Sequence, residues 1–210
     1  MKLQLSLDLL TLTEALEISQ DLKDTVDILE IGTPMLYKYG LYAVQELKKA
    51  LPYKTVLADM KIMDGGEIAA AQALNFGADI ITVMAAADGK TIENAIRKAH
   101  IGGALVMVDL LGVEDKITRA LALELTGADY LCLHTPKDIQ NEHQSPLDDL
   151  IRVKHVLQHG KTAIAGGIEL GSLGQVIKAQ PDIVIVGGGI LNTSDPVNQA
   201  RIMADLIHNQ

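Results

Sequence analysis

The chain of 210 residues has no tryptophan, one phenylalanine and five tyrosines, so aromatics make up only 3% of it. Hydrophobic residues still reach 48%. The interior must therefore be built from alanine, valine, isoleucine and leucine, which suits aliphatic strands packed on aliphatic helices. The single cysteine, Cys132, excludes an intramolecular disulfide and any cysteine-rich metal site. No apolar run approaches the length of a membrane span. The opening MKLQLSLDLL is too short and too interrupted by polar residues for a signal peptide. These absences point to the cytoplasm and away from a membrane partner. Clustered lysine and arginine are missing too, and the net charge is −9, which argues against a nucleic-acid partner. An acidic balance leaves room for a small phosphorylated ligand, because backbone N–H groups bind phosphate without cationic side chains. No linker or low-complexity tract interrupts the chain, so residues 1–210 read as one domain with length enough for a core.

What is present is one alternation, repeated from end to end. Eight short β-type runs stand at LQLSLDL (3–9), VDILEIG (26–32), KTVLADM (54–60), ADIITVM (78–84), ALVMVDL (104–110), ADYLCLH (128–134), KTAIAGG (161–167) and DIVIVGG (182–188). Helical stripes fill the gaps: Leu12, Ala15, Leu16, Ser19 and Leu22; Leu41, Val44, Leu47, Lys48 and Leu51; Ile92, Ala95, Ile96 and Ala99; Val113, Ile117, Ala120 and Leu121; Pro196, Val197, Ala200, Met203 and Ile207. Thr11 and Glu14 are spaced for a capping box, and Thr33 before Pro34 for an N-cap. NFGADIITV (75–83) echoes LTGADYLCL (125–133). Eight βα units predict a (β/α)8 TIM barrel. A doubly wound open sheet is the alternative, weakened by the lack of GxGxxG after the first strand.

The ends of the runs carry the chemistry. Alternation along a strand puts Gln4, Ser6 and Asp8 on one face, Leu57, Asp59 and Lys61 on another, and Tyr130, Cys132 and His134 on a third. Asp8, Glu30, Asp59 with Lys61, Asp109 and His134 thus stand near the C-terminal ends of five strands, the end where barrels of this class hold their active sites. One acid at a strand end is often only an N-cap; five ionisable ends together are harder to explain that way. Converging carboxylates repel one another and raise their own pKa values. Lys61 offsets part of that charge, and a divalent cation held by oxygen ligands, Mg2+ or Mn2+, would offset more. His134 alone among six histidines ends an apolar strand, which makes it the natural proton carrier. His100, His143, His155, His159 and His208 read as solvated, and Cys132 as core. Runs seven and eight end in glycines, AGG (165–167) and VGGG (186–189). Glycines there make tight turns, and in this architecture the loops after strands 7 and 8 also cradle phosphate. Asp64 lies past the third strand, either as an N-cap or as a residue reaching a site, including a neighbour's across a dimer interface.

The segment DMKIMD, Asp59 to Asp64, resembles the Asp-x-Lys-x-x-Asp signature of the orotidine 5′-monophosphate decarboxylase suprafamily. Within it the chain is most similar to the 3-hexulose-6-phosphate synthases, through KLQLSLDLL, VDILEIGTPML, VLADMKIMDGGE, GADIITVMAAAD, VMVDLLGVEDK, AIAGGI and VIVGGGI, in order along nearly the whole chain. The resemblance implies an aldehyde-lyase that joins formaldehyde to D-ribulose 5-phosphate through an enediolate. It implies Mg2+, with Mn2+ as the substitute, on Glu30 and Asp59. Lys61 is then a second positive charge, His134 the base at C1, and Asp109 a positioning or relay group. Asp8 and Asp64 orient Lys61 and substrate hydroxyls, Asp64 being supplied by the partner subunit of a homodimer. Gly166, Gly167, Gly187 and Gly188 bind phosphate. The sister enzymes, the 3-keto-L-gulonate 6-phosphate decarboxylases, carry Glu where this chain has Asp109, Thr where it has Ala165, and Gly-Arg where it has Gly187-Gly188. One position leans the other way: Lys137 puts a cation where the decarboxylases have Arg. A non-catalytic phosphosugar-binding barrel is the contrasting class, and it would need neither a metal cage nor a proton carrier.

Overall fold

In the computed structural model, which describes residues 1–142 and 145–209, the eight runs form a closed barrel of parallel strands in chain order. They are β1 (Lys2–Ser6), β2 (Ile28–Ile31), β3 (Thr55–Ile62), β4 (Ile80–Met84), β5 (Leu105–Asp109), β6 (Tyr130–His134), β7 (Lys161–Ala165) and β8 (Ile183–Val186). The surrounding helices are α1 (Leu12–Leu22), α2 (Thr33–Tyr39), α3 (Tyr42–Ala50), α4 (Gly66–Asn75), α5 (Gly89–Ile101), α6 (Lys116–Glu124), α7 (Pro146–Val156), α8 (Leu170–Lys178), α9 (Gly188–Leu191) and α10 (Pro196–His208). The (β/α)8 barrel that the alternation predicts is present, and the open sheet is not. His143 lies outside the described residues.

Strand alternation sorts the side chains into two layers. Leu3, Leu5 and Leu7 face the helices, in the large cluster that also takes Ala15, Leu22, Val44, Leu47, Ile92, Ala95, Ala99, Ala200 and Met203. The barrel interior is a separate cluster, with Ile28, Ile80, Tyr130 and Ile183 on even strands and Leu57, Met107 and Ala163 on odd ones. Cys132 belongs to it, as core. Truncating one of these fully buried aliphatics to alanine typically costs about 2–5 kcal/mol.

The echo between 75–83 and 125–133 has a structural cause. An aspartate stands just before every even strand, and its carboxylate accepts the N–H of a residue in the preceding odd strand. Asp27 takes Leu3 N–H at 2.7 Å; Asp79 takes Val56, Asp129 takes Val106 and Asp182 takes Thr162, each at 2.8 Å. The backbone answers in reverse, since the N–H groups of these aspartates donate to the carbonyls of the same four residues. Three of the carboxylates are also tied to a helix: Asp27 to His208, Asp79 to Lys48 and Asp129 to His100. His100 and His208 are therefore paired, where the sequence reading leaves them solvated.

Other local expectations shift for identifiable reasons. The capping box of Thr11 and Glu14 forms. Thr33 is not an N-cap: Gly32 holds that position and Thr33 is the first helical residue, its hydroxyl turned elsewhere. The helix expected to run on from Pro34 breaks at Gly40, whose φ of +62° ends α2 before α3 begins. Asp64 is not an N-cap either. Gly65 caps α4 in a left-handed conformation, and the Asp64 carboxylate accepts the Gly65 N–H. In α6 the buried positions are Ala120 and Leu123; Leu121, a further 100° round the helix, is exposed.

Candidate active site

β3 supplies the centre of the site, through an irregularity. Ala58 pairs with Ile81 and Ile62 with Val83, so three residues of β3 (59–61) lie opposite the single β4 residue Thr82. Lys61 takes a positive φ of 44°, a conformation that costs a non-glycine residue about 1 kcal/mol or more. A bulge of this kind re-aims side chains. Here it folds the Lys61 ammonium back to 2.6 Å from Asp59 Oδ2. Asp59 is buried and fully engaged: Thr82 Oγ1 donates to Oδ1 at 2.8 Å, and Thr33 Oγ1 lies 2.7 Å from Oδ2 and 2.8 Å from the Asp59 carbonyl oxygen. This is where the Thr33 hydroxyl goes instead of capping its helix.

The second centre joins β5 to β6. The buried Asp109 carboxylate accepts the Leu111 N–H on Oδ1 at 2.9 Å and meets His134 Nδ1 on Oδ2 at 2.8 Å. The same Oδ2 lies 3.6 Å from Lys61 Nζ. Burial alone would raise the Asp109 pKa, but the His134 hydrogen bond and the charges of His134 and Lys61 outweigh it and hold the carboxyl below its ordinary value. An ionised Asp109 fixes the proton on His134 Nδ1 and leaves Nε2 as the basic nitrogen. Lys61 is subject to opposed effects as well. Burial disfavours its charge, and Asp59 and Asp109 more than restore it, so its pKa ends above that of a free lysine.

The third centre is Glu30, buried at the end of β2. Gln4 on β1 donates to its Oε2 at 2.6 Å. Burial first, then the charges of Asp59 and Asp8, push the Glu30 carboxyl up to about 8. Asp8 stands on the loop beyond β1 and accepts from Ser6 Oγ at 2.9 Å. It packs so closely on Gly32 that a Cβ there would fall 1.7 Å from Asp8 Oδ1. The expectation that Asp8 orients Lys61 is corrected here, because the ion pairs of Lys61 run to Asp59 and Asp109. Cys132 lies beneath, and burial raises its thiol well above the ordinary range.

The glycine-rich ends of β7 and β8 flank the same mouth. Gly166 has a φ of +100°, and a Cβ there would fall 2.3 Å from the Thr135 carbonyl oxygen, so the loop after β7 lies directly against the one after β6. A Cβ on Gly187 would lie 3.4 Å from the Ser6 carbonyl oxygen and 3.9 Å from Asp8 Oδ2. Gly167 also has positive φ, and Gly188 opens α9. Lys137 is exposed at the start of the 3-10 turn Lys137–Glu142 that follows β6. Asp64 is exposed, and among the described residues its carboxylate bonds to the Gly65 N–H rather than to Asp59, Lys61, Asp109 or His134.

A match to the profile of the orotidine 5′-phosphate decarboxylase / HUMPS family extends over residues 1–203. The chain belongs to that family. A 3-hexulose-6-phosphate synthase of Staphylococcus aureus (strain bovine RF122 / ET3-1) is 45% identical to it over 201 residues, 96% of each chain. The crystal structure of 3-hexulose-6-phosphate synthase from Salmonella typhimurium superposes with a TM-score of 0.97 at 41% identity, covering 100% of this chain and 99% of that one. A 3-keto-L-gulonate-6-phosphate decarboxylase from Vibrio cholerae superposes at 0.84 with 24% identity over 98% of both chains, a likeness of fold.

Sequence reasoning missed the neutral partners in this family member. Thr82 stands inside an apolar run and Thr33 resembles a cap. Gln4 falls on the right face of β1, yet nothing in the spacing links it to Glu30. The available signal was a polar residue, uncharged, in a strand otherwise made of aliphatics.

Proposed function

We propose that this chain is a 3-hexulose-6-phosphate synthase, a carbon–carbon lyase that condenses formaldehyde with D-ribulose 5-phosphate to D-arabino-hex-3-ulose 6-phosphate. The observation that carries the reading is the whole-length likeness to proteins of that name, 45% in sequence and 0.97 in fold.

The donor set fits Mg2+ or Mn2+. Glu30 and Asp59 are oxygen donors on neighbouring strands, and burial, together with the charges of Asp59 and Asp8, raises the Glu30 pKa more than Gln4 and Lys61 lower it. Among the described residues no three acidic, histidine or cysteine side chains form a ready-made cage. Mg2+ is commonly held by one or two carboxylates with substrate oxygens and water completing the shell, so two suffice. When bound, the cation supplies positive charge to the adjacent carbonyl and hydroxyl oxygens of the sugar.

The chain's own groups do the rest. His134 Nε2 takes the C1 proton of ribulose 5-phosphate, while Asp109 holds Nδ1–H and stabilises the imidazolium that results. Lys61 places a second positive charge beside the developing enediolate oxygens. The enediolate carbon attacks formaldehyde, forming the carbon–carbon bond, and the new alkoxide takes up a proton. A lysine kept cationic by two carboxylates is a poor amine nucleophile, so no Schiff base forms on Lys61. Asp8 orients substrate hydroxyls, and the N–H groups of Gly166, Gly167, Gly187 and Gly188 hold the phosphate. Asp64 serves the site of a partner subunit in a homodimer. Its exposure supports this, as do the exposed apolar side chains of Tyr37, Met63 and Ile68 on α2, the β3–α4 loop and α4. The protein works in the cytoplasm; among the described residues no helix is long and apolar enough to cross a membrane.

A second reading, 3-keto-L-gulonate 6-phosphate decarboxylase, is favoured by the cation at Lys137. The test is formaldehyde consumption by purified protein with ribulose 5-phosphate and Mg2+, set beside EDTA, a His134→Ala variant, and 3-keto-L-gulonate 6-phosphate as substrate. Metal-dependent consumption, lost in the variant, is the expected result. CO2 release without formaldehyde consumption moves the assignment to the decarboxylase, and silence in both overturns the enzymatic reading.

A further inference from the structure

The bulge in β3 leaves the N–H of Lys61 outside the strand ladder, and one side chain takes it up. Thr82 is the single β4 residue facing the three residues 59–61. Its Oγ1 accepts the Lys61 N–H at 2.9 Å and donates to Asp59 Oδ1 at 2.8 Å. Thr82 is buried, so no bulk water competes for either bond. The acceptor role and the donor role use opposite capacities of one hydroxyl, and each constrains the other. The rotamer that meets the Lys61 N–H also sets where Asp59 Oδ1 points. The left-handed Lys61 backbone is held against its intrinsic preference by this contact together with the Nζ pairs at the far end of the side chain.

We propose that Thr82 is a positioning residue: its hydroxyl bridges Asp59 and the Lys61 backbone across the bulge, and so aims the Asp59 carboxylate at the cation and the Lys61 ammonium at the sugar oxygens. The role rests on the synthase reading for its catalytic consequence and on geometry alone for the bridge. The Thr33 hydroxyl approaches Asp59 at its Oδ2 and its carbonyl oxygen, and among the described residues its hydrogen bonds run to Asp59. Thr82 links the Lys61 backbone to the Asp59 carboxylate, beside the direct ion pair between Lys61 Nζ and Asp59 Oδ2.

The test compares Thr82→Val, which removes the hydroxyl at nearly constant volume, with Thr82→Ser, which keeps it. Three quantities are read: steady-state kinetics, Mn2+ affinity by calorimetry, and hydrogen exchange at the Lys61 amide. In Thr82→Val, kcat is expected to fall roughly 10–100-fold, the range typical of disturbed positioning. KM for ribulose 5-phosphate should stay within about threefold, since the phosphate loops lie on β7 and β8, remote from β4. Mn2+ binding should weaken severalfold, and the Lys61 amide should exchange faster. Thr82→Ser should restore all three. Should Thr82→Val fail to fold by circular dichroism, Thr82→Ala is read in its place. Valine or alanine variants that keep wild-type kcat and Mn2+ affinity overturn the proposal, as does a serine variant as impaired as valine. A wild type that binds Mn2+ but consumes no formaldehyde sinks the synthase reading instead, and the Mn2+ and exchange comparisons still decide the bridge.

Discussion

His134 and Asp109 act as one unit, because the carboxylate that orients the ring also keeps its own charge through that contact. Removing the imidazole in His134→Ala is expected to lower kcat by about 10²–10⁴-fold, the usual worth of a general base. Binding of ribulose 5-phosphate, measured by calorimetry, should change little. Asp109→Asn should lose nearly as much, because an amide permits the other tautomer and frees the ring to turn. The double variant should then be no worse than His134→Ala alone. Glu30 gives a separate, pH-dependent expectation. A carboxyl whose folded pKa lies above its unfolded value stabilises the metal-free fold in its protonated form. That contribution is complete below the unfolded value and is lost as pH rises through about 8. Cation binding runs the opposite way, since the proton must leave first. Mn2+ affinity should rise by up to about tenfold per pH unit below 8 and level off above it. Calorimetric titrations at three pH values check this, and a flat profile counts against Glu30 as a ligand. At this scale the ionisable residues were legible from alternation and position. Thr82, Thr33 and Gln4 were not, because a neutral hydroxyl or amide shows no charge anomaly in an apolar run.

At the scale of strands and helices, the aspartates before β2, β4, β6 and β8 carry more than their number implies. Each accepts a strand N–H, and three of them also tie a helix to the sheet. Asp129→Ala strips Val106 N–H and His100 of their common acceptor. It is expected to cost about 1–3 kcal/mol in urea unfolding while leaving kcat untouched, because these residues sit at the end of the barrel opposite the mouth. An equal loss of activity would mean that the two ends are not independent. The existence of all eight strands was legible from apolar runs and their alternation with helical stripes. Their ends were less so: β1 stops at Ser6 while its apolar pattern continues to Leu9, and β3 runs on to Ile62 through charged residues. The bulge explains the second miss, because a strict period of two cannot anticipate extra residues inserted within β3 itself.

For the whole molecule, the question is whether one chain suffices. Asp64 is exposed, and its carboxylate accepts the Gly65 N–H. If it serves the neighbouring site of a twofold dimer, Asp64→Ala and His134→Ala subunits should each be inactive alone. Mixed and reassociated, they should regain about a quarter of wild-type activity, since half the dimers are hybrids with one intact site each. No recovery would place Asp64 in its own subunit's chemistry or outside the reaction. The aspartate links also bear on how the molecule assembles. Their partners lie only 20–24 residues apart in the chain, so each odd–even strand pair can close early, with little loop entropy to overcome. The pairing of β1 with β8 joins residues from opposite ends of the chain and is expected last. That seam is what brings Gly187 to face Ser6 and Asp8. Folding intermediates should therefore be protected strand pairs with no affinity for sugar phosphate, and ligand added during refolding should not speed the early phases.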